Sequence, residues 1–259
     1  WTQARSKGEP LVPLALFRDR NFSIANLAIA AVGFTVTSMA LPQMFYLQLA
    51  RGLTPTESAL LLVPLAILSG VLAPFAGKLL DRTDPRFLLV PGLLLVGGSL
   101  GLYVALILND APIWMFLIPS VFMGIGNAGM WGPLATTATR NLPPRQAGAG
   151  AGIYNTTRTV GSVIGSASIA AFMQARLEAN LPGAADASAS FGGGELPPQV
   201  VTGFSQAMGE SLTLPIIVIA LGLVAVLFMR RPSMIRPHGA PRDAAPAQAA
   251  QAAPAAAGE

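Results

Sequence analysis

The sequence predicts an all-α polytopic membrane protein of six transmembrane helices, arranged as two inverted three-helix repeats. Charged residues are 11% of the 259-residue chain while apolar residues reach 53%, against about 25% charged in an ordinary soluble domain. Six nearly uncharged stretches approach or exceed 20 residues, the length that crosses ~30 Å of hydrocarbon at ~1.5 Å per residue. Between the second and third lies Gly77-Lys78-Leu79-Leu80-Asp81-Arg82-Thr83-Asp84-Pro85-Arg86, with five charges in ten residues. A short, mainly basic hairpin between two spans is retained on the cytoplasmic side.

Taken in chain order, residues 1–23 read as a cytoplasmic basic linker in which Leu11, Leu14, Leu16 and Phe17 lie in the membrane interface. The spans are predicted at 24–49, 59–77, 87–108, 113–135, 149–173 and 212–228, together forming a bundle over 24–229. Pro42, Pro64, Pro74, Pro119 and Pro133 fall inside them. Proline breaks a soluble helix but is tolerated where neighbouring helices re-satisfy the freed backbone groups, and the bends it leaves allow gating. An external loop is expected over 174–210, with a short helix from Pro198 to Met208. Residues 230–259 form an Ala/Pro-rich cytoplasmic tail expected to be disordered, because it cannot bury enough surface to offset ordering. A chain that starts at Trp1, with neither initiator methionine nor signal peptide, is expected to be a fragment.

Orientation follows from the cations. Arg5, Lys7, Arg18, Arg20, Lys78, Arg82, Arg86, Arg140, Arg145, Arg230, Arg231, Arg236 and Arg242 all fall on one side if the spans alternate. The other side receives only Arg51 and Arg176, together with Glu57, Asp110, Glu178, Asp186, Glu195 and Glu210. Both ends are therefore expected in the cytoplasm of a multi-pass protein in the cell membrane. The net charge of +4 reflects this topology, and no nucleic-acid partner is implied.

The polar residues repeat. The first span holds Asn26, Thr35, Thr37, Ser38, Gln43 and Gln48; the fourth holds Ser120, Asn127, Thr136 and Thr137. The third and sixth are apolar except for Ser99 near the middle of the third, and are expected to face lipid. The order polar, intermediate, apolar thus occurs twice, and three crossings invert the second triplet relative to the first. Asn155, Arg158, Ser162 and Ser166 share one face of the fifth span.

The loop at Gly77, Leu79, Asp81, Arg82 and Arg86 resembles the second-half copy of the motif that the major facilitator superfamily carries between its second and third helices, with Asp84 where glycine is usual. Residues 10–22, PLVPLALFRDRNF, are similar to the linker entering the last six helices of fourteen-helix drug:proton antiporters. Residues 148–161, GAGAGIYNTTRTVG, resemble their penultimate helix. The resemblance covers residues 10–235 and implies the C-terminal half of such a transporter. Its implied partners are a small-molecule substrate, protons, the lipid bilayer and an N-terminal half upstream. No cofactor is implied; the proton gradient drives transport, and the coupling carboxylate belongs to the upstream part.

For Asp81 the resemblance implies a cytoplasmic gate, and the alternative is a turn that only fixes topology. For Arg158 the alternatives are packing between the halves and a place on a substrate or proton route. Substrate-cavity candidates are Phe34, Thr35, Met39 and Gln43 on the first span and Asn127 and Trp131 on the fourth, with ordinary helix packing as the alternative for each. The implied activity is proton-coupled efflux of drugs or other lipophilic or cationic molecules. Import of a metabolite, export of a biosynthetic product and a non-transporting six-span scaffold are the competing readings. No catalytic residue is expected: there are no cysteines, and His238 is the single histidine. No metal motif occurs, and Gly124-Ile125-Gly126-Asn127-Ala128-Gly129, which fits a dinucleotide fingerprint, lies inside an apolar helix with no preceding strand.

Overall fold

The computed structural model describes residues 14–139, 142, 144–181 and 197–229. The linker through residue 13, the centre of the external connection and the tail from 230 lie outside the described residues. All regular structure among the described residues is helical, and six stretches are long and apolar enough to cross a membrane.

A 3-10 turn, Leu14–Arg18, leads into α1, Arg20–Phe45. The Asp19 carboxylate opens α1 by accepting from the backbone N–H groups of Asn21 and Phe22 at 2.7 and 3.0 Å, satisfying donors that have no intrahelical partner. Leu16 is buried beside Phe22 and Ile153, whereas Phe17 is exposed and meets Phe22 edge-on at 5.4 Å. Past Pro42 the helix loosens into a π turn, Tyr46–Ala50. Gly52, at φ 65°, turns the chain. Thr54 and Glu57 then form a capping box at the start of α2, Pro55–Leu60.

The second span is two helices. Pro64 cannot donate to a carbonyl one turn back, and the chain breaks at Leu61 and Leu62 before α3, Val63–Leu80. After the charged hairpin come α4, Arg86–Leu108, a 3-10 turn Ile113–Phe116, and α5, Leu117–Thr139. The fifth span, α6, runs Pro144–Asn180, well beyond the predicted 149–173. The sixth starts earlier than predicted: α7, Pro198–Ser211, precedes α8, Thr213–Leu227, and together they give an apolar stretch from Val200. Gln206 and Glu210 lower the mean hydropathy of α7, but Phe204, Ala207 and Met208 on its other face are buried in the core at the outer end of the bundle. The expected external loop over 174–210 is therefore helical at both of its ends.

The packing obeys the inverted repeat. The first triplet is α1, α2 with α3, and α4; the second is α5, α6, and α7 with α8. Exchanging the triplets maps the contacts of α1 onto those of α5: α1 on α6 becomes α5 on α3, and α1 on α8 becomes α5 on α4, whereas α6 on α7 has no counterpart of like extent. The α1–α5 and α4–α8 contacts map onto themselves.

Glycines make these contacts close. A methyl group built on Gly161 of α6 would overlap the Ala30 carbonyl of α1, and one on Gly165 would lie 2.6 Å from the Phe34 carbonyl oxygen. On the α5 side, Gly124 meets the Leu65 carbonyl of α3, and Gly126 comes within 2.8 Å of the Gly92 carbonyl of α4 on the same test. Two hydroxyls tie the first seam: Thr37 Oγ1 donates to the Ser162 carbonyl at 3.0 Å, and Ser162 Oγ to the Gly33 carbonyl at 3.2 Å.

The least buried span is the second, not the third. Only 6% of its most apolar window is buried, against 44% for α4. An all-apolar helix suits either a core or lipid, and α4 does both: Leu89, Leu93 and Leu100 are buried while Phe87, Leu94 and Leu108 are exposed. Ser99 is buried with its hydroxyl donating to the Val96 carbonyl, so it needs no partner on another helix.

Overpacking a close seam costs about 1–3 kcal/mol, so Gly161→Val is expected to lower the melting temperature of the purified protein in detergent. Gly98→Ala, where an added methyl group meets nothing within 4 Å, should leave it unchanged or raise it. Equal melting temperatures for the two variants would contradict the seam.

Candidate functional site

Three places hold the polar side chains, and the charged hairpin between α3 and α4 is the first. The α3 helix ends with Asp81 as its C-cap. Thr83 Oγ1 donates to the Leu79 carbonyl at 2.6 Å, and the Asp84 carboxylate accepts from the Arg86 N–H at 3.2 Å, opening α4. The residue that departs from the family pattern thus has a local use. Among the described non-glycine residues only Asp110 has positive φ, so position 84 does not need glycine.

Gly77, Leu79, Asp81 and Arg82 are exposed, and a methyl group on Gly77 would meet nothing within 4 Å. Phe75, Lys78, Leu79, Asp81 and Arg82 line a cleft of about 380 Å³. Neither Asp81 nor Arg82 forms an ion pair among the described residues. Arg86 is half-buried, with Nε and Nη2 out of contact with solvent and without a hydrogen-bond partner. The hairpin is thus held by its backbone and by Thr83 and Asp84, leaving its motif charges unpaired.

The second place is the middle of the bundle. The cavity candidates of the first span separate there. Thr35 is buried, donates to the Ala31 carbonyl at 2.8 Å and reaches the Pro215 carbonyl of α8 at 3.4 Å. Gln43 is buried with Nε2 unpartnered, and Met39 packs against the outer core. Phe34 lines an apolar groove of about 520 Å³ between α1, α6 and α8.

On α5, Ser120 is buried, with Oγ donating to the Phe116 carbonyl and 2.9 Å from the Tyr103 hydroxyl of α4. Asn127 and Trp131 remain half-exposed, and Trp131 Nε1 donates to Asn127 Oδ1 at 3.1 Å. Against them stands Arg158 of α6, exposed, with its guanidinium carbon 5.8 Å from the Trp131 ring centroid. Asn155 is exposed and Ser162 half-exposed on the same flank. The structure therefore brings Asn127, Trp131, Arg158, Asn155 and Ser162 to one region and turns Thr35 away from it.

Charge balance there is incomplete. A cation near the bilayer centre costs about 2.5–3.5 kcal/mol on insertion scales, and a cation–π contact returns about 0.5–2 kcal/mol. The acids among the described residues, Asp19, Glu57, Asp81, Asp84, Asp110, Glu178 and Glu210, all lie at helix ends or in turns. Arg158 has no carboxylate partner among them. Tyr154, one turn earlier on α6, is buried with its hydroxyl unpartnered. It was not among the residues the sequence singled out; its spacing of four from Arg158 was the available signal.

The third place is the end of the bundle opposite the hairpin. Arg51, after α1, pairs with Asp110 and donates to the Ala111 carbonyl between α4 and α5, and its guanidinium carbon lies 5.8 Å from the Tyr46 ring centroid. Arg176 of α6 pairs with Glu210 of α7 at 3.6 Å. Both predicted outer cations are thus neutralised, and Arg51 clamps the first triplet to the second.

The sequence profile of the Major Facilitator Superfamily matches residues 2–166. The MFS-type transporter Rv1250 of Mycobacterium tuberculosis is 44% identical over 232 residues, covering 88% of this chain and 40% of that protein. The multidrug resistance protein Stp of the same organism is 31% identical over 181 residues, covering 70% and 33%. The chain thus spans less than half the length of these relatives. Its fold is similar to that of a bacterial homolog of the human lysosomal transporter Spinster in an inward-facing, unoccupied conformation. The TM-score is 0.67 and the identity 18%, with 85% of this chain and 51% of the other covered.

An exposed ion pair is worth about 0–1 kcal/mol. Asp110→Asn is therefore expected to shift the melting temperature in detergent only slightly, because Asp110 is 87% exposed. Arg51→Ala, which also removes the bond to Ala111, should shift it more; the reverse order would contradict the clamp.

Proposed function

The chain belongs to the major facilitator superfamily, and from that premise we propose that it is the C-terminal half of a proton-coupled exporter of bulky, lipophilic small molecules. The observation that carries the reading is the pair of helices that each leave one flank uncovered. α3 and α6 each expose a stripe of small or short polar residues: Ala66, Gly70, Ala73 and Gly77 on one, and Gly148, Gly152, Asn155 and Thr159 on the other. Between helices in lipid, close approach supplies the attraction, and small residues permit it. A second six-helix half docks along both stripes and encloses the space before Asn127 and Trp131.

The remaining features fit that arrangement. Asp81 and Arg86 have no ion-pair partner among the described residues, and a gate that opens and closes is formed by ion pairs and hydrogen bonds between halves that break in one state. Trp131 and Met39 offer adaptable aromatic and thioether contact for apolar cargo. The similarity to a protein named for multidrug resistance supports efflux as the direction. Both ends lie in the cytoplasm in this proposal, since Arg18, Arg20, Lys78, Arg82 and Arg86 share one end of the bundle, without ion pairs, while the two paired arginines share the other.

In cells carrying the complete transporter, lipophilic dye should accumulate less than in cells without it, and a proton uncoupler should abolish the difference. A gating interaction of about 1–3 kcal/mol corresponds to roughly 5–150-fold, so Asp81→Asn should slow efflux by a factor in that range without reducing membrane insertion; unchanged efflux removes Asp81 from the gate. The chain has no native cysteine, so orientation is read directly. In intact cells an impermeant maleimide should label Asn109→Cys and spare Thr83→Cys, and the opposite pattern reverses the topology.

A further inference from the structure

We infer that α5 and α6 carry a subsite for a carboxylate borne by a flat, apolar cargo molecule, with Arg158 as its charged anchor. The inference rests on the transport reading and supplies the cargo chemistry which that reading leaves open.

Three of the polar groups near Trp131 can donate. The guanidinium of Arg158 stands over the indole ring, a placement that leaves its N–H fork available at the ring's edge. Tyr154 brings a buried hydroxyl with no partner, within electrostatic reach of that guanidinium. Asn127 has its carbonyl oxygen accepting from Trp131 Nε1, and its NH2 group can donate. Guanidinium, phenol and amide N–H groups match a carboxylate, which accepts at two oxygens and pairs with a guanidinium through two parallel bonds. A cationic cargo would find no carboxylate at this depth among the described residues, and would meet Arg158 as a like charge.

The position is open to cargo and turned away from lipid. The Arg158 backbone lies against Gly33 of α1. On one flank of α6, Gly161 and Ile164 line the apolar groove shared with α8. Arg158 lies away from that groove, against Trp131 of α5 and at the edge of the Asn155 and Thr159 stripe. The indole face then supplies an apolar surface next to the charge, so the group recognised is a carboxylate attached to a ring system, not an isolated small anion.

The test is isothermal titration of the purified complete transporter with 2-naphthoate and 2-naphthamide, which share the ring and differ in charge. A bidentate, charge-assisted contact predicts that naphthoate binds about tenfold tighter or more. Arg158→Gln should bring the two to near parity while leaving naphthamide affinity unchanged, and Arg158→Lys should keep part of the preference, as a point charge without the fork. Equal affinities in the parent protein overturn the subsite, whatever the variants do. So does Arg158→Gln weakening both ligands alike, because the arginine's counter-charge would then belong to the protein. A protein that prefers naphthoate but exports no dye defeats the transport reading and leaves the subsite standing; one that exports dye with no charge preference does the reverse.

Discussion

Within a bilayer, lipid tails are as apolar as leucine, so burying apolar side chains does little to draw helices together. Attraction comes from close packing and from the few hydrogen bonds that close packing allows. In this chain that constraint is met by glycine seams: Gly161 and Gly165 of α6 against α1, Gly126 of α5 against α4, and Gly124 of α5 against α3. The backbones approach until a single methyl group would overlap a carbonyl. Thr37 and Ser162 then spend their hydroxyls on carbonyls across the first seam, where larger side chains would have kept them apart.

The seams also decide where chemistry can occur. Because α1 is held against α6 and α5 against both α3 and α4, the two triplets interlock, and the flanks of α3 and α6 remain uncovered. Arg158 emerges beside the α1–α6 seam, next to Trp131, its cost only partly offset by the indole. At the end opposite the hairpin Arg51 ties the loop after α1 to the turn before α5. At the hairpin end the motif charges have no such tie among the described residues. The bundle is thus closed by its own residues on one side and left with free valences on the other, as expected of a part that completes its gate with another part.

Much of this was legible in the sequence, because hydropathy over 20 residues and the asymmetry of basic residues follow from bilayer thickness and membrane topology. Six spans, the repeat and the hairpin are features of that kind. Burial was less legible. Thr35 and Gln43 read as cavity residues because they are polar in an apolar helix, yet Thr35 satisfies itself on its own helix and reaches α8. Polarity marks a need for a partner without saying where the partner is. The short helix expected from Pro198 is present as α7, but its joining the sixth span was not legible, because averaging over a window hides an amphipathic face; nor do the seam glycines name their neighbours in the sequence. Asp84 departs from the family pattern, and only the structure shows its carboxylate accepting from the Arg86 N–H at the start of α4.

The central claim is that the small-residue flanks of α3 and α6 are covered by a second half, whereas the bulky flanks of α3 and α8 face lipid. Nitroxide labels at Ala73→Cys, Thr159→Cys, Val71→Cys and Leu221→Cys in the complete transporter, reconstituted in bilayers, report this through their collision rates with dissolved oxygen, which concentrates in lipid. Low rates are predicted at 73 and 159, with high rates at 71 and 221. High rates at all four positions would contradict the account.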